Sequence, residues 1–193
     1  MLTQTLPPPV ALLTADDFAE FVLRPENSDR NFELDRGKVV EMPRPTVRHG
    51  VVCGNAAFLL GKYIRDRRRG VVLTNDAGLW VEHHPDTVFG PDVFVYDETI
   101  AYEDLADKWE ERVPTLVVEV LSPNDRTSKM NRRISRFLAM GVKLVWVLDP
   151  DDKTLTVHQA HRPLNVLDVD DEVTGLEFIP DLRLKVSDFF TTP

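Results

Sequence analysis

The chain of 193 residues is 42% apolar and 28% charged, the size and mix of one folded domain with its own core, which excludes a disordered, collagenous or coiled-coil chain. Its longest apolar stretches, Thr115 to Leu121 and Val142 to Leu148, fall far short of the roughly 20 residues that span a bilayer, and its sole cysteine, Cys53, excludes an intrachain disulfide and a multi-cysteine zinc site. A net charge of −9 argues against coating nucleic acid by bulk charge, yet two blocks, Lys62 to Arg69 and Asp125 to Arg136, each set five basic residues against one acidic residue.

Those blocks are either two solvated helix faces or local attractors of a polyanion. Residues 1–10 contain no Lys or Arg and carry Pro7, Pro8 and Pro9, so they lack both parts of a secretory signal. A loose arm is expected over 1–13 and one domain over 14–193, in a reducing cytoplasm.

Thr14 stands three residues before Asp17, ahead of Phe18, Phe21 and Val22, which predicts a capping box opening a short amphipathic helix that ends near Arg24-Pro25. Phe32 to Leu34 and Val39 to Met42 flank Asp35-Arg36-Gly37-Lys38, the pattern of a hairpin. From about Arg48 to Arg68, the residues Val51, Val52, Ala56, Leu59, Leu60 and Tyr63 recur at helical spacing until Gly70. Val71 to Thr74, Gly78 to Glu82 and Asp92 to Tyr96 read as short strands of a meander that continues the hairpin. Leu116 to Leu121 reads as a strand buried on both faces, broken by Ser122-Pro123-Asn124-Asp125.

Met130, Ile134, Phe137, Leu138 and Gly141 predict a helix over about Asp125 to Met140, its apolar stripe on the sheet and Gly141 at its C-cap. Lys143 to Leu148 is another buried strand, Thr154 to Gln159 its partner, and Leu164 to Leu167 and Leu176 to Ile179 are shorter β pieces. Strand, helix and strand over 116–148 make a crossover long enough for a parallel pair. The sum is a mixed sheet flanked by helices, an α/β or α+β arrangement.

Glu119 is the most informative residue, a carboxylate inside Leu-Val-Val-Glu-Val-Leu. Burying an unpaired carboxylate costs several kcal/mol, so it is paired with a base, protonated, or the ligand of a hard cation. Alternation puts it on the face of Val117 and Leu121. Asp92 follows Gly90-Pro91 at the entrance of a strand, and two carboxylates on neighbouring strand ends make an oxygen-lined site of the kind Mg²⁺ prefers. Lys129 opens the next helix and can reach back over both acids; Arg133 lies one turn later. A cation there would offset charge developing on a phosphate. Glu33 is a candidate further acid, whereas His49 reads first as a structural histidine. Spacings for a zinc enzyme, a phosphate loop, a dinucleotide fingerprint and a nucleophile elbow are all missing from the sequence.

Taken together, Phe-Glu-Leu-Asp-Arg-Gly-Lys-Val-Val-Glu-Met (32 to 42), His49, Gly-Pro-Asp-Val (90 to 93), Val-Val-Glu-Val-Leu-Ser-Pro-Asn-Asp-Arg (117 to 126) and Gly-Val-Lys-Leu-Val-Trp-Val-Leu-Asp-Pro (141 to 150) resemble the Uma-two family of proteins assigned as bacterial endonucleases. The likeness runs from about Phe18 to His158. It implies the restriction-endonuclease-like PD-(D/E)XK fold, with Asp92 on the family's Pro-Asp element, Glu119 on its second acid and Glu33 on the early-strand glutamate. The superfamily's usual lysine two residues after the second acid is replaced by Leu121; the family's helical lysine aligns with Arg133, and Lys129 is the nearest true lysine. Arg is a different donor and does not release a proton, which bears on catalysis.

The resemblance therefore implies a Mg²⁺-dependent endonuclease acting on DNA, with Mn²⁺ as a possible substitute. Asp92, Glu119 and the Val120 carbonyl would hold the ion, and Glu33, Lys129 and Arg133 would complete the catalytic set. A homodimer is expected by analogy with the fold, and no membrane partner. A nuclease acting on RNA is not separated from this reading by sequence. The rival is a catalytically silent copy of the fold used for dimerisation or nucleic-acid interaction, which would show Glu119 neutralised by a buried base and Asp92 turned away.

Overall fold

The structure is a computed structural model that describes residues 12–74, 77–123 and 127–192; residues 1–11 of the arm expected over 1–13 and the break at Asn124-Asp125 lie outside the described residues, as does Arg126 of the second basic block. In chain order the elements are α1 (Ala15–Val22), β1 (Asn31–Asp35), β2 (Lys38–Met42), α2 (Val47–Arg67), β3 (Val71–Thr74), β4 (Leu79–Glu82), β5 (Thr87–Phe89), β6 (Val93–Tyr96), β7 (Leu116–Val120), α3 (Thr127–Met140), β8 (Leu144–Asp149), β9 (Thr154–His158), β10 (Asn165–Leu167), β11 (Glu172–Gly175) and β12 (Ile179–Lys185). The capping box at Thr14 is formed in both directions: its hydroxyl accepts from the Asp17 N–H, and Asp17 accepts from the Thr14 N–H.

The central sheet has six strands in the order β10-β9-β8-β7-β6-β3. It is mixed, because β7 and β8 run parallel across the α3 crossover while the other neighbours are antiparallel. All five residues of β7 are buried, and their alternation divides them between two cores. Leu116, Val118 and Val120 pack with Val52, Ala56, Leu60 and Ile64 of α2. Val117 packs with Ile134 and Phe137 of α3. Each such fully buried aliphatic contributes about 1.5–3 kcal/mol relative to exposure.

The expected continuous meander does not form. The β1–β2 hairpin belongs to a second sheet, in the order β2-β1-β5-β4, while β3 pairs with β6 in the central one. The chain crosses from one sheet to the other through Gly90-Pro91-Asp92, which joins β5 to β6. Asp92 therefore sits just before its strand rather than in it. Near the C-terminus, Leu176 to Ile179 is mostly the turn between β11 and β12, and the strand itself runs from Ile179 to Lys185. At the end of α2 the left-handed residue is Arg68 (φ 52°), followed by Gly70 at φ 110°. A Cβ on Gly70 would lie 2.7 Å from the Tyr96 carbonyl oxygen, so glycine is required both by its backbone and by its space.

Candidate active-site cleft

Three local features converge on one open cleft of about 460 Å³. The β5–β6 crossing delivers Asp92, the end of β7 delivers Glu119 and Val120, and the loop after β2 leads into α2 and delivers His49 and Cys53. Extending the β6–β7 register, in which Val93 opposes Val118, by one step puts Asp92 opposite Glu119. Oδ2 of Asp92 accepts the Val120 N–H at 2.7 Å, which ties the β6 entrance to the β7 exit. On the other side, Oδ1 lies 3.3 Å from Nε2 of His49. His49 is set by the cap of its own helix, since its N–H donates to Oγ1 of Thr46 at 3.2 Å.

Glu119 is buried and paired. Nε of Arg133 donates to its Oε1 at 2.7 Å. The same guanidinium donates from Nη1 to both oxygens of Glu33, at 2.7 and 2.8 Å, and from Nη2 to the Gly90 carbonyl at 3.0 Å. Glu33 in turn accepts the Gly90 N–H at 2.8 Å. The guanidinium carbon lies 4.4 Å from the ring centroid of Phe89 and 5.4 Å from that of Phe137, so it is held by π faces as well as by carboxylates. Of the sequence readings of Glu119, pairing with a base is present. The basic block containing Arg133 is accordingly only in part a solvated face: Arg133 is 7% exposed and Arg136 pairs with Asp35 at 2.5 Å and Glu82 at 3.2 Å, while Lys129 and Arg132 are exposed. In the first block, Lys62 pairs with Asp66, and Arg67 and Arg69 pair with Asp97.

Two carboxylates, Glu33 and Glu119, thus meet at one buried guanidinium, and Asp92 lies near enough to act on Glu119 through its charge. Burial pushes the Glu119 carboxyl up to about 8, with the negative charges of Asp92 and Glu33 adding to the rise and Arg133 opposing it. Burial works against the charge on Arg133 too, but Glu119 and Glu33 hold its guanidinium above the usual range. The guanidinium stays charged, so the excess is negative and is relieved by a proton or by another cation. The cleft offers hard oxygen donors for such a cation at Asp92, Glu119 and the Val120 main chain, a set suited to Mg²⁺ or Mn²⁺. Lys129 and Arg44 line the same cleft with exposed side chains. The cleft therefore has an acidic floor and a basic rim.

All the sequence-selected residues, Glu33, Asp92, Glu119, Val120, Lys129 and Arg133, line this one cleft, with His49 beside them. Sequence reasoning missed Cys53, Arg44 and the clamp formed by Arg133. The signal for Cys53 was its spacing of four from His49 on a helix; no pattern pointed to Arg44.

The family described as "Uma2: Putative restriction endonuclease" matches residues 18–187. Solved structures sharing the fold include one described as a "putative nuclease belonging to DUF820" from Anabaena variabilis ATCC 29413, 22% identical, with a TM-score of 0.77, covering 92% of this chain and 97% of that one. At that identity the likeness shows a shared fold, the mixed sheet flanked by helices, and is consistent with a restriction-endonuclease-like one. No curated protein sequence matches the chain.

Proposed function

Because the chain belongs to the Uma2 family, we propose that it is a Mg²⁺-dependent endonuclease hydrolysing phosphodiester bonds of DNA in the cytoplasm, with Asp92, Glu119 and the Val120 carbonyl as the residues that hold the ion. The carrying observation is the acidic floor beneath the basic rim in one open cleft. A divalent ion bound there would supply an activated water and a polarised phosphoryl oxygen.

The protein's own residues do the rest. Arg133 is a positioning residue, because its donors are directed at Glu119, Glu33 and Gly90. It fixes both glutamates against their mutual repulsion. Glu33 orients water at the edge of the acid cluster. Lys129, exposed on the rim, offsets charge building on the phosphate, and Arg44 contacts the backbone without reading sequence.

One observation favours the silent module as a second reading: Glu119 is already matched by a buried base. The other feature of that reading is missing, since Asp92 lines the cleft. Plasmid cleavage in Mg²⁺ separates the two. The enzyme reading expects nicking by the wild type and none by Glu119→Ala or Asp92→Ala of unchanged circular dichroism. Equal activity in wild type and both variants would reject this site, and absence of cleavage and of Mg²⁺ binding in the wild type would favour the module.

A further inference from the structure

His49 and Cys53 lie four residues apart on α2, a spacing that puts both side chains on one helix face, as in metal-binding His pairs at the same interval. Asp92 comes to the same place from the β5–β6 crossing. One ligand atom from each of the three residues lies within 4.8 Å of the others. Nε2 of His49 is 3.3 Å from Oδ1 of Asp92 and 4.0 Å from Sγ of Cys53. For a tetrahedral ion with bonds of about 2.0 Å to nitrogen and oxygen and about 2.3 Å to sulfur, those edges are about 3.3 and 3.5 Å. The His49–Asp92 edge already fits, whereas Sγ of Cys53 lies nearer Nδ1 of His49 (3.3 Å) than Nε2 and reaches an ion on Nε2 only by rotation of the Cys53 side chain. Both His49 and Cys53 line the cleft, so a fourth position would face solvent.

We propose that His49, Cys53 and Asp92 form a site for a borderline-soft divalent cation of the zinc class, and that this site excludes the hard ion by taking Asp92 from it. The donor set decides the ion: a thiolate and an imidazole prefer Zn²⁺ or Co²⁺, while Mg²⁺ prefers oxygen alone. Occupancy by the soft ion orients Asp92 toward α2 and away from Glu119. Zinc is then an inhibitor that acts from within the cleft. The exclusion rests on the assignment of Asp92 to the hard-ion site; the soft site itself does not.

Co²⁺ titration of untagged, metal-free full-length protein tests the soft site by absorption, because a cobalt–thiolate bond gives a charge-transfer band in the near ultraviolet. The band is expected in the wild type and in Glu119→Gln, to vanish in Cys53→Ser, and to need at least tenfold more Co²⁺ in His49→Gln. Binding without the band, as at the adjacent surface histidines His83 and His84, would overturn the site, as would wild-type affinity for Zn²⁺ in Cys53→Ser measured by calorimetry. Mn²⁺ is then titrated into the zinc-loaded and zinc-free protein. Loss of Mn²⁺ binding on zinc loading is expected, and unchanged Mn²⁺ binding would overturn the exclusion. A wild type that binds Zn²⁺ through Cys53 but never binds Mg²⁺ or Mn²⁺ retains the soft site while the nuclease reading fails.

Discussion

Arg133 and Glu119 meet at 2.7 Å, guanidinium Nε to carboxylate Oε1, with both side chains less than a tenth exposed. Through its other nitrogens the same arginine grips Glu33 and the Gly90 carbonyl. One side chain on α3 therefore fastens β7 of the central sheet to β1 of the second sheet, at the crossing that carries Asp92. The clamp and the candidate site are one structure.

Removing the clamp leaves two buried carboxylates without their base. Arg133→Ala is expected to cost about 3–5 kcal/mol, a fall in melting temperature on the order of 10 °C for a chain of this size. Arg133→Lys keeps the charge but cannot span three acceptors, and is expected to fall between the two. Thermal unfolding followed by circular dichroism measures this, and an unchanged melting temperature in Arg133→Ala would show that the clamp stabilises nothing.

The acid cluster also sets a pH dependence. The Glu119 carboxyl is raised from its ordinary 4.5 to about 8 by burial, reinforced by Asp92 and Glu33 against Arg133. The fold favours its neutral form, so this stabilising contribution is complete below about 4.5 and is lost as pH rises through about 8. Metal-free wild type is therefore expected to lose more melting temperature between pH 6 and pH 8.5 than Glu119→Gln does. Parallel curves for the two proteins would contradict the shift.

Much of this arrangement was legible before the fold. Strong periodicity gave α2 and α3, the unbroken apolar run gave β7, and Glu119 drew notice because that run has no reason to contain an acid. The pairing of β3 with β6 was not legible, because β3 to β6 are three- or four-residue strands whose partners are chosen by packing rather than by local pattern. Arg133 was read as a cation for substrate from its helix position. Its burial depends on Glu33 and Gly90, 100 and 43 residues away in sequence, and no local signal carries that. Cys53 stood out as the sole cysteine, and its spacing from His49 was legible too, but Asp92 arrives beside them from a distant crossing.

Under the proposed endonuclease reading the two rim cations have different tasks and different signatures. Lys129→Ala is expected to lower kcat on the order of 10²-fold, the size of losing one donor to developing charge, while leaving metal binding intact. Arg44→Ala is expected to raise KM and flatten the salt dependence of DNA binding by about one phosphate contact. Steady-state cleavage at two salt concentrations checks both. Identical effects in the two variants would argue against the division.

The cap at α1 tests a purely structural reading. The Thr14 hydroxyl accepts the Asp17 N–H at 3.1 Å, and Thr14→Ala is expected to cost about 1 kcal/mol without changing cleavage. Chemical denaturation gives the number; a stability equal to wild type would mean that the cap is redundant with the packing of Phe18.

Calorimetric titration of Mg²⁺ into metal-free wild type and into Asp92→Ala addresses the acid pair most directly, because it requires no knowledge of the substrate. Saturable binding of one ion by the wild type and no binding by Asp92→Ala is the predicted result. Equal binding by both proteins, or none by the wild type, would contradict the assignment of Asp92 and Glu119 as the residues that hold the ion.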